Sequence, residues 1–386
     1  MNKKVIAAVV GVVLLAGGAF AYSQGEQLQG KFSPTKFSSP TIVSSGPIKS
    51  GPFGSAFGGG SSSATSIEGL SFRLDASTPR SDILVLGSDD NELAVFKLES
   101  DSDEYEVTDL VLSMDSSVEN NIHTMYIGYE NADGDDVLSS AYPSSGEVEF
   151  SDLELYVGGG DDAKLTVYAD LTAPASGGDS GDVFSIELDE VEALNMTDGT
   201  TSTASSIAEV ANEMTVYDSK PVLSLSSSSP SGAQSVSASD EVMVFTIEAL
   251  EGEDVVINDF AVDLASNGVL NSGASITAYL KQDGATISTD TFTVSSSDEA
   301  RMNFTTMAAF GDMVVEEGST DEFTIQLSTV DLMTTSASDD YLTLSIDLGN
   351  ASGSGDFDWS DDGATSSIKW VGHVSDSSLT SNTLVY

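Results

Sequence analysis

An internal repeat is the feature that most limits what this chain can fold into. Residues 72–115, "FRLDASTPRSDILVLGSDDNELAVFKLESDSDEYEVTDLVLSMD", align with residues 223–265, "LSLSSSSPSGAQSVSASDEVMVFTIEALEGEDVVINDFAVDLA". In this alignment Phe96 falls on Phe245 within two similar apolar runs. A repeat of this length indicates that one structural unit occurs twice, and the rest of the sequence is therefore interpreted as two copies.

The match continues in the same order to the end of the sequence. The later matching segments are 163–171 with 321–329, 183–191 with 341–349, and 212–217 ("NEMTVY") with 382–386 ("NTLVY"). We therefore predict a first module at 67–217 and a second module at 218–386. The last segment of each copy is then a closing strand, so that residue 386 is expected to be a module boundary.

The apolar residues of both copies alternate with Ser, Thr and Asp, which is the pattern of half-buried strands. Asp133-Gly134 and Asp283-Gly284 each follow a Tyr by four residues, and Asp-Gly between alternating runs predicts a hairpin with a type I′ turn. No segment keeps a helical period. The predicted fold class is all-β, with two tandem Ig-like antiparallel β-sandwich modules after a flexible N-terminal spacer.

Charge narrows the classes of partner. The chain of 386 residues carries 62 Asp and Glu against 13 Lys and Arg, a formal net charge of -49. Phosphates would be repelled, so we exclude nucleic acid as a partner. Eight of the basic residues precede residue 100, and the chain after residue 100 is therefore almost purely acidic. The chain has no Cys, so disulfides do not stabilise it.

The pattern of the N-terminal region predicts an export signal followed by a linker. Residues 1–21 combine Lys3 and Lys4 with an apolar stretch and end in Ala-Phe-Ala, which predicts a signal peptide; an uncleaved anchor is the alternative. Residues 22–66 are rich in Gly, Ser and Pro, as in a flexible spacer. Residues 31–43, "KFSPTKFSSPTIV", could instead dock on a partner as an extended strand. We expect an extracellular or cell-surface protein that contacts a membrane only through an uncleaved N-terminal segment.

The phrase "LDASTPRSDILVLGSDDNELAVFKLESDSDEYEVTDLVL" of the first module and "EDVVINDFAV" (253–262) of the second carry a family resemblance. They resemble Ig-like β-sandwich repeats in surface proteins, some of them S-layer-like, of Patescibacteria-type bacteria. The resemblance covers both modules and not the spacer. It implies an exported, repetitive and non-catalytic surface protein, and it supplies no catalytic residues.

One motif suggests catalysis. Gly178-Asp179-Ser180-Gly181 matches the tetrapeptide around the serine of chymotrypsin-like proteases, but the only upstream His is His123, in a strand-like context without a protease signature. An aspartic protease would need a second Asp-Thr/Ser-Gly, which the second module lacks in the matching place. We interpret this segment as a loop and predict that the protein is not an enzyme.

Calcium is the cofactor that the acidic loops could hold, because hard cations bind carboxylate and carbonyl oxygens on flexible loops. The candidate ligands are Asp356, Asp358, Asp361 and Asp362 in "GDFDWSDDG", and Asp133, Asp135 and Asp136 in "NADGDD". Neither segment has EF-hand spacing. The alternatives are solvated turns, or a surface adapted to high salt that is destabilised when ionic strength falls.

These observations favour a secreted or cell-surface structural protein, an S-layer-like or filament subunit that assembles through its modules with or without calcium. Its expected partners are further copies of itself or other surface proteins. The alternative is an adhesin or ligand-binding surface module. A glycoside hydrolase is disfavoured because no acidic motif lined with aromatic residues is present.

Overall fold

A computed structural model defines the fold. It describes residues 66–250, 252–266, 270–295, 299–305, 313–333, 341–350, 355–361, 367–372 and 378–386. The signal peptide and almost all of the spacer lie outside the described residues, so both stay predictions. All the described residues belong to one compact unit, residues 62–386. No helix in the described part of the chain is long and apolar enough to cross a membrane.

Thirteen strands form the first module. They are β1 (Leu70–Leu74), β2 (Ile83–Val85), β3 (Asn91–Ser100), β4 (Tyr105–Ser113), β5 (Ile122–Glu130), β6 (Asp136–Ala141), β7 (Glu147–Phe150), β8 (Leu155–Val157), β9 (Asp162–Leu171), β10 (Val183–Phe184), β11 (Glu187–Asn195), β12 (Thr201–Val210) and β13 (Met214–Tyr217). Two short 3₁₀ turns, Glu119–Asn121 and Pro174–Ser176, connect them.

The described residues of the second module form thirteen more strands and one helical turn. They are β14 (Pro221–Leu225), β15 (Gly232–Ala233), β16 (Asp240–Ala249), β17 (Val255–Ser266), β18 (Ser275–Gln282), β19 (Ala285–Thr293), β20 (Glu299–Thr305), β21 (Met313–Val315), β22 (Thr320–Leu327), α1 (Thr329–Leu332), β23 (Tyr341–Asp347), β24 (Phe357–Asp361), β25 (Ser378–Thr380) and β26 (Leu384–Val385).

The sheet order is that of an immunoglobulin sandwich. One sheet of the first module runs β1-β3-β9-β5-β6, which places strands in the order A-B-E-D and adds β6 at the edge. The opposing strands β4, β11 with its continuation β10, and β13 supply C, F and G. The second module repeats both arrangements, as β14-β16-β22-β18-β19 and as β17-β23-β26. The predicted all-β fold class with Ig-like sandwich modules is confirmed.

Strand register also repeats between the modules. Phe96 lies opposite Leu165 in the first module, and Phe245 lies opposite Phe323 in the second, as the alignment of the two copies requires. All four side chains are buried, at 1% exposure or less. The repeat therefore reflects one pattern of core-facing positions, because a slip of one residue would turn each of these side chains to solvent.

The predicted closing strands occupy equivalent places. Strand β13 pairs in parallel with β2 and antiparallel with β10, and β26 pairs in parallel with β15 and antiparallel with β23. Met214 and Leu384 are the buried anchors of these strands, with 1% and 0% exposure. Residues 382–386 are thus part of the second sandwich.

The two Asp-Gly hairpins differ from the expectation in one respect. Both hairpins form, but only the Asp283-Gly284 turn has positive φ at both central residues, 50° and 80°. In the first module the ladder ends at Glu130 opposite Asp136, and five loop residues fold around the side chain of Asn131. Because this loop is longer, the alignment of the two modules through their Asp-Gly pairs differs by three residues from the alignment of their paired strands. By sheet position Tyr126, and not Tyr129, is the counterpart of Tyr279, since Tyr126 pairs with Tyr168 where Tyr279 pairs with Gln326.

Removing residues 382–386 should destabilise the second module by several kcal/mol, because it deletes a buried Leu and two ladders. Leu384→Ala should cost about 2–5 kcal/mol on its own. Thr383→Ala on the same segment is the matched control, since Thr383 is exposed. Denaturant unfolding followed by the fluorescence of Trp359 and Trp370, both buried in this module, measures the effect. An unchanged midpoint after truncation would show that the register is wrong.

Candidate functional site at the module junction

The three residues between β13 and β14 are held by the second module. The hydroxyl of Ser219, which is fully buried, donates to the carbonyl of Leu250 at 2.9 Å. The N–H of Leu250 in turn donates to the carbonyl of Lys220 at 3.1 Å. Because the linker both donates to Leu250, through the Ser219 hydroxyl, and accepts from it, through the Lys220 carbonyl, the junction is an ordered connection rather than a free hinge.

An ion pair spans the same junction from the first module. Lys220 Nζ lies 2.7 Å from Asp82 Oδ1 and donates to the carbonyl of Ile83 at 3.0 Å. Gly372 of the second module packs against this pair, and a Cβ there would overlap both Asp82 and Lys220. Gly372 also has φ of +92°, a conformation that side chains disfavour, so glycine is required at this position on two counts.

Apolar contacts join the modules beneath the ion pair. Ile83 belongs to the first module by sequence, yet its buried side chain forms part of the hydrophobic cluster of the second. Tyr217, at the end of β13, packs edge-on against Trp359 with ring centroids 5.7 Å apart and a 72° interplanar angle. Trp359 is fixed in turn by its indole N–H, which donates to the carbonyl of Trp370 at 2.9 Å.

At the centre of the junction lies the carboxylate of Asp361, which is fully buried. The hydroxyl of Ser180 donates to its Oδ2 at 2.6 Å, and the N–H of Asp218 donates to the same oxygen at 3.0 Å. Asp361 ends β24, and its side chain is bonded both by the loop before β10 and by the linker, so that three separate segments meet here.

The loop that carries Ser180 is positioned by a buried asparagine. Asn121 accepts the N–H of Asp179 at 2.6 Å through Oδ1 and donates to Asp182 Oδ2 at 2.9 Å through Nδ2. The N–H of Gly181 donates to the carbonyl of Val216 on β13. The Gly-Asp-Ser-Gly segment is therefore a loop, as interpreted from the sequence, and its serine hydroxyl is bonded to a carboxylate of the second module.

Asp218 is the second carboxylate of the junction. Burial raises its pKa above the ordinary value, and the charges of Asp361 and Glu253 raise it further. Gly252 lies against its backbone, and a Cβ at Gly252 would overlap the carbonyl oxygen of Asp218. Burial also raises the pKa of the Tyr217 phenol, and the charge of Asp361 raises it further.

The structure separates the acidic residues of "GDFDWSDDG". Asp356 pairs with Arg301, Asp358 pairs with Lys369 at 3.0 Å, and Asp361 points into the junction. Asp362 lies outside the described residues. Phe357–Asp361 of this segment form strand β24, and neighbouring side chains of a strand point to opposite faces.

Asp133 and Asp135 are exposed in the β5–β6 loop, and Asp136 is exposed at the start of β6. The side-chain oxygen of Asn131 accepts the N–H groups of Asp133 and Asp135, at 3.1 and 3.0 Å, so these backbone groups shape the loop. No group of three or more His, Cys, Asp or Glu side chains in the described part of the chain is arranged to hold a metal ion. Calcium binding by this loop stays a prediction.

No motif of the sequence identifies Asp218, Asp82 or Lys220 as site residues. One signal was present: Lys220 is one of five basic residues after position 100 and stands immediately before Pro221 at the predicted boundary. A lone cation there indicates an ion pair at the junction. The role of Ser180 could not be read from local sequence, because its partner Asp361 is 181 positions away.

Comparison with known proteins gives likenesses of structure alone. No family model matches the chain, and no curated protein matches its sequence. The partial N-terminal region of the enterococcal surface protein is similar over 82% of this chain and 93% of its own, at 9% identity and a TM-score of 0.19. The B domain of a biofilm-associated protein covers 85% and 88%, at 8% identity and 0.22. The Enterococcus faecalis MSCRAMM ACE covers 81% and 96%, at 9% identity and 0.18. These are bacterial surface proteins. Because the TM-scores are low, the Ig-like fold is assigned from the order of the strands in the sheets and not from these likenesses.

Ile83→Ala should lower the stability of the second module although the substitution lies in the first. The lost side chain leaves a cavity in the second core, and we expect about 2–4 kcal/mol. Leu84→Ala is the matched control, because Leu84 packs against the core of the first module. Tryptophan fluorescence during denaturant unfolding should respond to Ile83→Ala more strongly than to Leu84→Ala. An equal response would contradict the shared core.

Asp358→Asn should destabilise the second module by about 1–3 kcal/mol near neutral pH. Burial alone would raise the pKa of Asp358, but hydrogen bonds from Ser367, Lys369 and Asn258 outweigh it and hold the pKa below its ordinary 3.8. A carboxylate whose pKa is lower in the folded state than in the unfolded state stabilises the fold at pH values above its unfolded-state pKa. This stabilisation is lost as the pH falls through the folded-state pKa.

The stability difference between wild type and Asp358→Asn should therefore be constant above about pH 5 and shrink below pH 4. Urea unfolding across this range measures it. Asp263→Asn is the control, since Asp263 is half exposed and lies 3.6 Å from Arg301, a surface contact of small effect. A difference that grows on acidification would contradict the assignment.

Proposed function

We propose that the protein is a secreted, cell-surface structural protein whose two Ig-like modules act as one mechanical unit and self-associate. The observation that carries this proposal is the junction, where a side chain of the first module is part of the second module's core and an ion pair and an aromatic contact close over it. Such a connection transmits load and fixes orientation. An S-layer-like or filament subunit requires both properties.

A non-catalytic role is part of the proposal. The one sequence motif that suggested a nucleophile places its serine hydroxyl against Asp361, where it acts as a structural donor. The charge of -49 also supports an extracellular setting rich in cations, because a surface of one sign needs counterions around it.

Strand β6 supplies a surface for self-association. It lies at the edge of the first module's sheet, and Leu138 on it is 56% exposed, while Tyr142 just beyond its end is 72% exposed. An edge strand offers unpaired backbone groups to an added strand. The occupant we propose is residues 31–43 of a second copy, whose Phe and Ile are spaced by Ser and Pro. Its two lysines, Lys31 and Lys36, complement the acidic modules.

Deleting residues 22–60 should abolish self-association while leaving the modules folded. Sedimentation velocity and negative-stain microscopy of the mature chain, with calcium and with EDTA, measure assembly. Leu138→Lys, which places a charge on the proposed acceptor edge, should reduce assembly in the same way. Val236→Lys is the control, because Val236 is 51% exposed elsewhere and adds the same charge. Assembly that survives the deletion would overturn strand addition, and a monomer under all conditions would overturn the structural role.

An adhesin or ligand-binding module is the second candidate, favoured by the outer face of the same sheet. Tyr126 and Tyr168 are paired there, with the Tyr126 hydroxyl donating to Asp170 at 2.6 Å. That hydrogen bond, with burial, raises the pKa of Tyr126 to about 12. Paired tyrosines beside carboxylates can stack on and bond to sugars. Glycan-array binding that is lost in Tyr168→Ala, in a protein that stays monomeric, would favour this candidate.

A further inference from the structure

The junction contains two carboxylate oxygens without hydrogen-bond donors. Asp218 Oδ1 and Asp361 Oδ1 are both buried and accept no hydrogen bond from any residue that the structure describes. Asp361 is 0% exposed as a residue. Leaving a buried anionic oxygen without a partner is unfavourable, and buried charges in proteins are normally paired or coordinate a metal.

Neither carboxylate has a cationic side chain as a partner within the described residues. Lys220 is the nearest basic residue in sequence, and its ammonium group contacts Asp82 and the carbonyl of Ile83 instead. The second buried aspartate of the module, Asp358, shows the contrast: Lys369, Asn258 and Ser367 all donate to it. At the junction, by contrast, neither Asp218 nor Asp361 receives a bond from a cationic side chain of the described residues.

The two aspartates are neighbours at the junction, and the charge of Asp361 acts on Asp218. The backbone N–H of Asp218 donates to Asp361 Oδ2, so the residues are in direct contact, and Glu253 lies close enough to act electrostatically on Asp218. Buried like charges repel strongly in a medium of low dielectric constant. A positive group between or beside them would relieve both the repulsion and the lost hydration.

We propose that a hard divalent cation, calcium, binds at the module junction with Asp218 and Asp361 as its carboxylate ligands. Calcium takes about six to eight oxygens in flexible geometry and accepts waters and carbonyls beside carboxylates, so two acidic side chains suffice as its charged ligands. Magnesium demands near-octahedral geometry, which suits this irregular junction less well. Two carboxylates match the charge of the ion.

The site would connect the modules. Asp361 comes from the second module, Asp218 from the linker, and Ser180 of the first module orients Asp361 through its hydroxyl. A cation at this point binds only when the junction is assembled, and by linkage it therefore stabilises the joined state over the separated one. This inference stands apart from the proposed self-association, which concerns strand β6.

Terbium luminescence tests the site directly on the full mature chain. Terbium replaces calcium at oxygen sites, and Trp359 with Tyr217 would sensitise it from the same junction. We expect a saturable signal that calcium displaces and that magnesium displaces at least tenfold less effectively. Asp361→Asn should weaken terbium binding at least tenfold, and Asp218→Asn should do the same. A signal unchanged in both variants would overturn the proposal.

Thermal unfolding followed by tryptophan fluorescence is the second measurement. Calcium should raise the midpoint of wild type, whereas Asp361→Asn should unfold in EDTA at the wild-type midpoint or above, because it removes a buried charge, and should not respond to calcium. Asp218→Asn gives the same comparison if Asp361→Asn does not fold. Asp101→Asn is the matched control, because Asp101 is exposed and belongs to neither predicted calcium loop, and it should keep the wild-type response.

Screening is excluded by repeating the titration with sodium chloride at equal ionic strength. A midpoint that rises equally with sodium and with calcium, or a calcium response retained in both junction variants, would overturn the proposal. A wild-type chain without either terbium signal or calcium response would overturn it as well.

Discussion

Parallel pairing between the last strand of each module and a short strand near its start is the constraint on which the rest of the structure depends. In the first module this pairing joins β13 to β2 and ends at Tyr217 opposite Val85. The chain leaves the sandwich at that point, beside the residues that precede β3. Tyr217 therefore lies against Trp359, Ile83 lies in the second core, and Lys220 lies beside Asp82. The closure of one module thus builds the contact surface for the next.

Much of the fold could be predicted from sequence because burial in a sandwich has a local period of two. Phe96 and Phe245 occupy matching core positions, and the match extends to their partners across the sheet. Loop length has no such period. The five-residue loop after Glu130 replaces a two-residue turn, and the tyrosine match drawn through the Asp-Gly pairs was wrong by three positions. Alternation fixes which face a residue occupies, while turn geometry decides how far a strand extends.

The candidate site was far less predictable, for a related reason. Four nearby aspartates read as one loop that could surround an ion, but strand β24 sends neighbouring side chains to opposite faces. Asp358 is neutralised on one side by Lys369, and Asp361 meets the first module on the other. The partners that define Asp361 are Ser180 and Asp218, at sequence separations of 181 and 143. No local pattern encodes contacts at that distance, since they depend on the packing of two complete modules.

The acidic composition has two explanations, a surface adapted to high salt and specific cation binding, which the sequence alone does not distinguish. Burial distinguishes them for individual side chains. Exposed carboxylates repel one another through water, and dissolved salt screens that repulsion over about 8–10 Å. Screening by dissolved salt acts on exposed side chains such as Asp133 and Asp135. It does not act in this way on Asp361, which is fully buried. A buried carboxylate is compensated by a proton, a fixed cation or a bound ion, and the surrounding residues supply no fixed cation within the described part of the chain. The buried charge at the junction therefore requires a specifically bound partner, whereas the exposed charges at the surface require only screening by dissolved salt.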